Sequence, residues 1–195
     1  MNTEIYLIRH AQCEANKLGI ISGALDDELT EDGVFQAERL KEMLIKKNIG
    51  FDQFYTSTAK RAVDTAKIIA PHFVPSRHSE LLEIDTGSFE FQHTSKKGVS
   101  FHVQDYINEP FPNGESYLDL YTRATNWFDN LTFEAGNKIG IVAHGGSLGV
   151  IIHHIIQDKK LLNFPLFKLS NASLTHITMN IEKKKYFFHT INFTL

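Results

Sequence analysis

Two short runs hold the residues best suited to chemistry. Leu7-Ile8-Arg9-His10 lies near the start of the chain, and Ile141-Val142-Ala143-His144-Gly145-Gly146 lies near its end. Each is an apolar run of strand type that closes on a histidine. In an open α/β sheet, ligands bind beyond the carboxyl ends of the strands. Two such strands would deliver two imidazoles and one guanidinium to a common edge. A neutral imidazole nitrogen is a competent nucleophile toward phosphorus when its other nitrogen keeps a hydrogen-bond partner. The planar fork of Arg9 matches phosphate oxygens. Gly145 and Gly146 let the backbone approach an anion and open a helix. The pattern points to a phosphate ligand. Either run by itself is equally compatible with a strand-end histidine satisfied by backbone.

Two more groups extend the pattern. Thr56-Ser57-Thr58-Ala59-Lys60-Arg61 reads as a strand ending in small hydroxyl residues, followed by a helix start. Arg61 would sit in the first helical turn, near the edge where His10 emerges; Lys60 reads as its solvated neighbour. Glu83 follows Leu81-Leu82, which reads as a short strand. A carboxyl beside a phosphate could protonate a leaving oxygen, a step worth roughly 10²–10⁴-fold. Glu80, Asp85 and Glu90 are rivals that spacing does not exclude. His153-His154 and the remaining histidines lack metal-ligand spacing, so no metal and no cofactor are expected.

The elements that must position these groups follow from periodicity. Ile5 to Ile8 is continuous and apolar, as in a strand buried on both faces. Residues 11–29 read as a loop, broken by Gly19, Gly23 and the Asp26-Asp27 pair. Thr30 is an N-cap candidate, with Glu31 and Asp32 in the first turn where the helix dipole favours anions. Val34, Ala37, Leu40 and Leu44 recur at helical spacing. Phe51–Thr56 reads as a strand and Ala59–Ala70 as a helix ended by Pro71. Residues 84–114 have no sustained period and contain Phe89, Phe91, Phe101, Tyr106 and Phe111; so long an irregular stretch is usually functional. Tyr117 to Leu131 forms an amphipathic helix. Lys138–Ala143 is a strand and Ser147–Ile156 a helix. Ala172–Met179 and Tyr186–Phe193 suit an antiparallel pair turned around Glu182-Lys183-Lys184-Lys185. The expected fold is a three-layer α/β/α domain spanning 1–195. Its central sheet is mostly parallel, with helices on both faces and 84–114 as a small irregular cap over the site.

Composition bounds the function. The chain has 195 residues and a formal charge of −3, so it carries no global basic field for nucleic acid. Cys13 is the sole cysteine, which excludes an intrachain disulfide and suits a reducing compartment. The start, Met1-Asn2-Thr3-Glu4, lacks the cationic region of a signal peptide. No segment approaches the length of a membrane span. A cytoplasmic protein with no membrane partner is expected, and a homodimer stays open.

The motifs together resemble the histidine phosphatase superfamily, in its phosphoglycerate mutase-like branch. Leu7-Ile8-Arg9-His10-Ala11-Gln12-Cys13-Glu14-Ala15-Asn16 is similar to the family's L-x-R-H-G-[EQ]-[ST]-x-x-N. Gly23, Asp27, Leu29-Thr30, Gly33 and Gln36-Ala37 follow its next motif. Thr58 to Ala66 resembles S-P-L-x-R-A-x-x-T-A, and Leu82-Glu83 with Gly87 and Glu90 resembles L-x-E-x-x-x-G-x-x-E-G. Pro112-Asn113-Gly114-Glu115-Ser116, Val142 to Gly146, and Asn171-Ala172-Ser173-Leu174-Thr175 match three later motifs.

The resemblance implies roles. His10 would accept the phosphoryl group. Arg9, Arg61 and His144 would clamp its oxygens. Glu83 would be the proton donor. Asn16, Ser22, Gly23 and Gly145 would line the substrate pocket, with Glu115 near its rim. Three departures stand out. Ala11 replaces the usual glycine and adds a Cβ in a crowded loop, with slower turnover as the expected cost. Phe91 replaces the glycine of W-E-G. Leu148-Gly149 stands where many members have isoleucine-arginine, so one peripheral cation is missing.

The implied activity is a metal-independent phosphomonoester phosphatase acting on a small phosphorylated metabolite through phosphohistidine. One alternative is a mutase, which returns the phosphoryl group to the substrate. Family mutases carry a longer insertion with extra cations, whereas 84–114 has only Lys96 and Lys97 amid aromatics. That composition favours a phosphatase with a partly apolar or aromatic leaving group. The other alternative is a non-catalytic phosphate-binding scaffold.

Overall fold

The computed structural model describes residues 1–23, 27–93 and 102–195; Asp26, Lys96, Lys97 and Phe101 lie outside them. The strands are β1 (Asn2–Arg9), β2 (Gln53–Ser57), β3 (Ser76–His78), β4 (Lys138–Ala143), β5 (Leu174–Asn180) and β6 (Lys185–Phe193). The helices are α1 (Glu14–Leu18), α2 (Glu31–Lys46), α3 (Lys60–Ile69), α4 (Tyr117–Asp129) and α5 (Gly145–Ile155). One six-stranded sheet has the order β3-β2-β4-β1-β5-β6. Neighbours from β3 to β1 are parallel, and β5 runs against both β1 and β6.

The three layers follow from alternation along the central strands. Ile5 and Leu7 of β1 point into one core with Leu120, Ala124 and Phe128 of α4 and Leu148 and Ile152 of α5. Tyr6 and Ile8 point into the other, with Ala37, Leu40 and Leu44 of α2 and Ala62 and Ala66 of α3. Covered on both faces, Ile5–Ile8 of β1 and 139–143 of β4 form nearly continuous apolar runs, as the sequence reads. Each large aliphatic chain so buried contributes roughly 1.5–3 kcal/mol of transfer free energy.

Two details set the position of the site. The register of β1 and β4 pairs Arg9 with Ala143. The next residue on each strand is therefore a histidine, and the His10 amide still donates to Ala143 O at 2.9 Å. The expected N-cap is present: Thr30 Oγ1 accepts the Gly33 amide at 3.0 Å. Gly33 is obligatory for space, since a Cβ there would fall 2.0 Å from Gln12 O. The first turn of α2 thus packs directly on the loop after His10.

Two expectations need correction. Leu81-Leu82 is not a strand. The edge strand is Ser76–His78, and Ser79–Leu81 forms a 3₁₀ turn with Leu81 in the core. The apolar pair reflects burial alone, because the chain has to turn there to leave the sheet. Residues 11–29 are not wholly a loop, because α1 forms one short helix ended by Gly19 at φ 66°. Five residues are too few to display a helical period.

Candidate active site

His10 is 3% exposed and sits at the end of β1. Its Nδ1 pairs with Ala11 O at 2.7 Å, so that nitrogen bears the proton. Its Nε2 accepts from Arg61 Nε at 3.3 Å, so that nitrogen offers a lone pair. Burial holds the imidazole well below its ordinary pKa, with Arg61 and Arg9 adding to the shift. The ring is neutral at pH 7 and its unprotonated nitrogen is hydrogen-bonded by a guanidinium. The loop is fixed on three sides. Ala11 N donates to Thr65 Oγ1 at 3.0 Å, Asn171 Nδ2 to His10 O at 3.1 Å, and Ala172 N to the same oxygen at 3.1 Å. Ala11, the departure from glycine, is fully buried in the α2–α3 core.

His144 N-caps α5 with its ring centroid 5.1 Å from that of His10. Its Nε2 pairs with Ser57 Oγ at 2.7 Å, and Ser57 Oγ also accepts the Ala59 amide at 3.2 Å. Burial, then Arg61, His10 and Arg9, keep this imidazole well below its ordinary pKa too. Its Nδ1 is buried without a hydrogen-bond partner among the described residues. So is Arg9 Nε, while Arg9 Nη1 donates to Leu169 O. Buried polar groups are nearly always satisfied, so these two call for an explanation, and a bound anion between them would supply one. Arg61, 1% exposed, is held by Asp27 Oδ1 at 3.1 Å and by Gly23 O at 2.8 Å.

Glu83 reaches the same edge from the segment after the 3₁₀ turn. Its Oε2 accepts the Gly146 amide at 3.0 Å and its Oε1 accepts the Ile84 amide at 3.0 Å. A Cβ on Gly146 would lie 2.2 Å from Glu83 Oε1, so only glycine lets this carboxyl dock at the start of α5. A Cβ on Gly145 would lie 3.7 Å from both Arg9 Cζ and Glu83 Oε2, so guanidinium and carboxyl both lie against that residue. The rivals point elsewhere. Glu90 Oε1 lies against Gly23, Asp85 Oδ1 accepts the Gly87 amide at 2.8 Å, and Glu80 is exposed.

A cavity of about 260 Å³ opens over Arg9, Glu83 and Gly145. Of the pocket residues implied by the resemblance, Gly145 lines it and Asn16, Ser22 and Gly23 do not. Asn16 instead ties the loop after His10 together: its Oδ1 accepts from Asn171 Nδ2 at 2.8 Å and from Cys13 Sγ at 3.1 Å. Ser22 is half-buried next to Gly23, whose carbonyl anchors Arg61. Burial and a hydrogen bond to Asp27 push the Cys13 thiol up to about 12, which leaves it inert as a nucleophile at neutral pH. Glu115 does not reach this cavity. It binds Arg123, with Nε to Oε2 at 3.0 Å.

Sequence reasoning missed the cavity wall. Tyr117, Phe164, Phe167 and Lys168 line it, three of them from the segment between α5 and β5 that carries no period. The aromatics expected to surround the substrate mostly pack on one another: Tyr106 stacks on Phe111 at 4.0 Å, and Phe89 meets Phe111 edge-on at 5.7 Å. Gly149, where a cation was missing, explains part of the wall. A Cβ there would come 3.1 Å from the Phe164 ring, so the glycine seats that aromatic. Phe91 stands in the left-handed region at φ 62°, a conformation that glycine adopts without strain. Among the described residues no group of three or more His, Cys, Asp or Glu is arranged to hold a metal, and no helix is long and apolar enough to cross a membrane.

Comparison with known proteins agrees with this geometry. Residues 5–193 match the model of the histidine phosphatase superfamily, branch 1. The chain is 31% identical to "Putative phosphoserine phosphatase 2" of Hydrogenobacter thermophilus, over 92% of this chain and 91% of that one. It is 29% identical to adenosylcobalamin/alpha-ribazole phosphatase of Salmonella typhimurium, covering 78% and 79%. Among solved structures, phosphoserine phosphatase of Entamoeba histolytica in complex with 3-phosphoglyceric acid superposes with a TM-score of 0.80 at 25% identity, covering 98% of each chain.

Proposed function

This chain belongs to the histidine phosphatase superfamily, branch 1, and we propose that it is a phosphomonoester phosphatase that works through phosphohistidine on His10. The observation that carries the reading is the fixed tautomer of His10: Nδ1–H is spent on Ala11 O, so Nε2 carries the lone pair for attack, held in the resting site by the Arg61 Nε–H that a phosphoryl group would displace. In the first step the Nε2–P bond forms as the bond from phosphorus to the ester oxygen breaks, and the Glu83 carboxyl gives that oxygen its proton. In the second step the Glu83 carboxylate takes a proton from water. The resulting oxygen attacks phosphorus, the P–N bond breaks, and phosphate leaves. Arg9, Arg61 and His144 supply donors to the phosphoryl oxygens, where charge accumulates. Preorganised donors in a buried site stabilise such charge far better than water does.

The wall sets the class of leaving group. Tyr117, Phe164 and Phe167 supply three aromatic faces, and Lys168 is the cation that accompanies Arg9 in the lining. We infer a leaving alcohol that is partly apolar or aromatic. Return of the phosphoryl group to a second substrate oxygen would need the remainder of a doubly anionic substrate to be held by more cations than these. A non-catalytic scaffold would have no use for the Glu83 carboxyl docked on Gly146.

Labelling with a ³²P-phosphomonoester tests the reading. The expected adduct on His10 is acid-labile and alkali-stable, and is unaffected by chelators. No adduct, together with unchanged hydrolysis by His10→Ala, would refute it. A phosphomonoester panel in which compact polyanionic sugars and glycerates outrun every aromatic ester would overturn the leaving-group class.

A further inference from the structure

Glu83 has no strand or helix of its own. It lies two residues after the 3₁₀ turn Ser79–Leu81, in an irregular stretch. A proton donor on a loose segment would be ineffective, since a misplacement of about 1 Å costs on the order of 10²-fold. This segment is held from behind by a single guanidinium. Arg123 of α4 donates from Nη1 to Glu80 O at 2.8 Å and to Leu82 O at 2.9 Å. Its Nη2 donates to Glu83 O at 2.9 Å and to Glu115 Oε1 at 2.5 Å. Its Nε donates to Glu115 Oε2 at 3.0 Å. All five of its N–H groups are used. Glu115 in turn accepts the Asp85 amide on Oε1 at 3.0 Å. The backbone on both sides of Glu83 is thereby tied to one ion pair, and the pair adds no net charge behind the carboxyl.

We propose that Arg123 and Glu115 are positioning residues for Glu83: they fix the 80–85 backbone on α4 so that the Glu83 carboxyl docks on the Gly146 amide at the start of α5, on the cavity it shares with Arg9. The proposal rests on the phosphatase reading only in taking Glu83 as the proton donor. Lysine cannot replace the arginine, because a point charge with three donors does not reproduce a planar five-donor fork.

The test compares an alkyl phosphate with p-nitrophenyl phosphate, whose leaving group hardly needs a proton. With R123A, and with R123K, kcat on the alkyl ester should fall about 10²-fold while p-nitrophenyl phosphate changes only a few-fold. A cavity of about 400 Å³ opens beside Arg123 and Glu115, so added guanidinium ion should restore R123A on the alkyl ester, and neutral urea should not. E115Q, a milder change that keeps the arginine, should show the same split at smaller size. Independently of any substrate, amide exchange at Ile84 and Gly146 should accelerate in R123A while the interior of α5 stays protected. Equal losses on both esters in R123A and E115Q, or unchanged exchange at Ile84 and Gly146, would overturn the clamp. If the unaltered enzyme cleaves neither ester, it is the phosphatase reading that fails, and the exchange measurement still decides the clamp.

Discussion

The floor of the site and its wall come from different kinds of structure. The floor is the cluster of His10, His144 and Arg61, which are 3%, 0% and 1% exposed, together with Arg9 and Glu83, through which it meets the cavity. The cluster stands at the ends of two paired strands and at the start of α3, where register and helix geometry leave little freedom. The wall is Tyr117, Phe164, Phe167 and Lys168, mostly on the segment between α5 and β5. That segment is held by a few side-chain bonds. His153 Nδ1 pairs with Asp158 Oδ2 at 3.0 Å, and its Nε2 accepts the Leu166 amide at 3.2 Å. Changes in the floor should therefore remove chemistry, and changes in the wall should alter which ester is accepted. Rigid elements fix the reaction, and the longer connections choose the substrate.

The sharpest way to break this division is His10→Ala. Loss of a hydrolase nucleophile takes turnover toward background, a drop on the order of 10⁴-fold or more. Stopped assays on several esters should show the same loss for each. A substrate-dependent loss would mean that the floor also selects. Arg61→Lys should follow, at roughly 10³-fold in kcat, because the guanidinium fork over His10 Nε2 is lost while the charge remains. Circular dichroism should show that the fold survives.

Glu83→Gln comes next and separates chemistry from binding within the floor. Alkyl esters should lose about 10²–10⁴-fold in kcat, and p-nitrophenyl phosphate far less. Equal losses would move the proton donor to another carboxyl.

This same division explains what the sequence could reveal. The floor was legible because local signals encode it. An apolar run ending in histidine specifies a strand end, and Thr30 with Glu31 and Asp32 specifies a helix start. Arg61 follows from the turn after β2. The wall was not legible, since the apolar residues from Leu161 to Leu169 fit strand and helix spacing equally poorly over so short a stretch and are broken by Pro165. The aromatics of 84–114 show the converse failure. Composition placed Phe89, Tyr106 and Phe111 near the substrate, but it does not encode the direction of a ring, and these three rings pack on each other. The motif assigns Glu115 to the pocket rim, whereas its partner Arg123 lies eight residues on, off the apolar stripe of the amphipathic helix, where a lone arginine reads as solvated.

A smaller effect tests the burial of the floor through pH. Both imidazoles are held well below 6.5, chiefly by burial. An unfolded chain would protonate them near the ordinary value of about 6.5. Between the depressed folded pKa and that value the unfolded state binds more protons, so stability rises with pH. Stability is therefore full above about pH 6.5 and falls as the pH drops below it, by up to about 1.4 kcal/mol per pH unit for each ring. Melting temperatures between pH 7.5 and 5 should show this loss, and His144→Gln should flatten it. Indifference to pH in that range would mean that the rings are already charged or solvated.

Lys168→Ala should give the smallest change and bears on the wall alone. Lys168 is exposed, and an exposed charge contact is worth at most about 1 kcal/mol. At roughly 1.4 kcal/mol per tenfold, that is a rise of about fivefold or less in KM. It should appear only for esters whose leaving group carries an anionic substituent. It should be absent for neutral aryl esters, and kcat should hold for both, because on the proposed reading Arg9, Arg61 and His144 would still meet the phosphoryl oxygens. A fall in kcat for neutral esters would show that the loop carrying Lys168 also sets the floor. The route would be Leu169, whose carbonyl accepts from Arg9 Nη1. The separation of wall from floor would then fail at that one hydrogen bond.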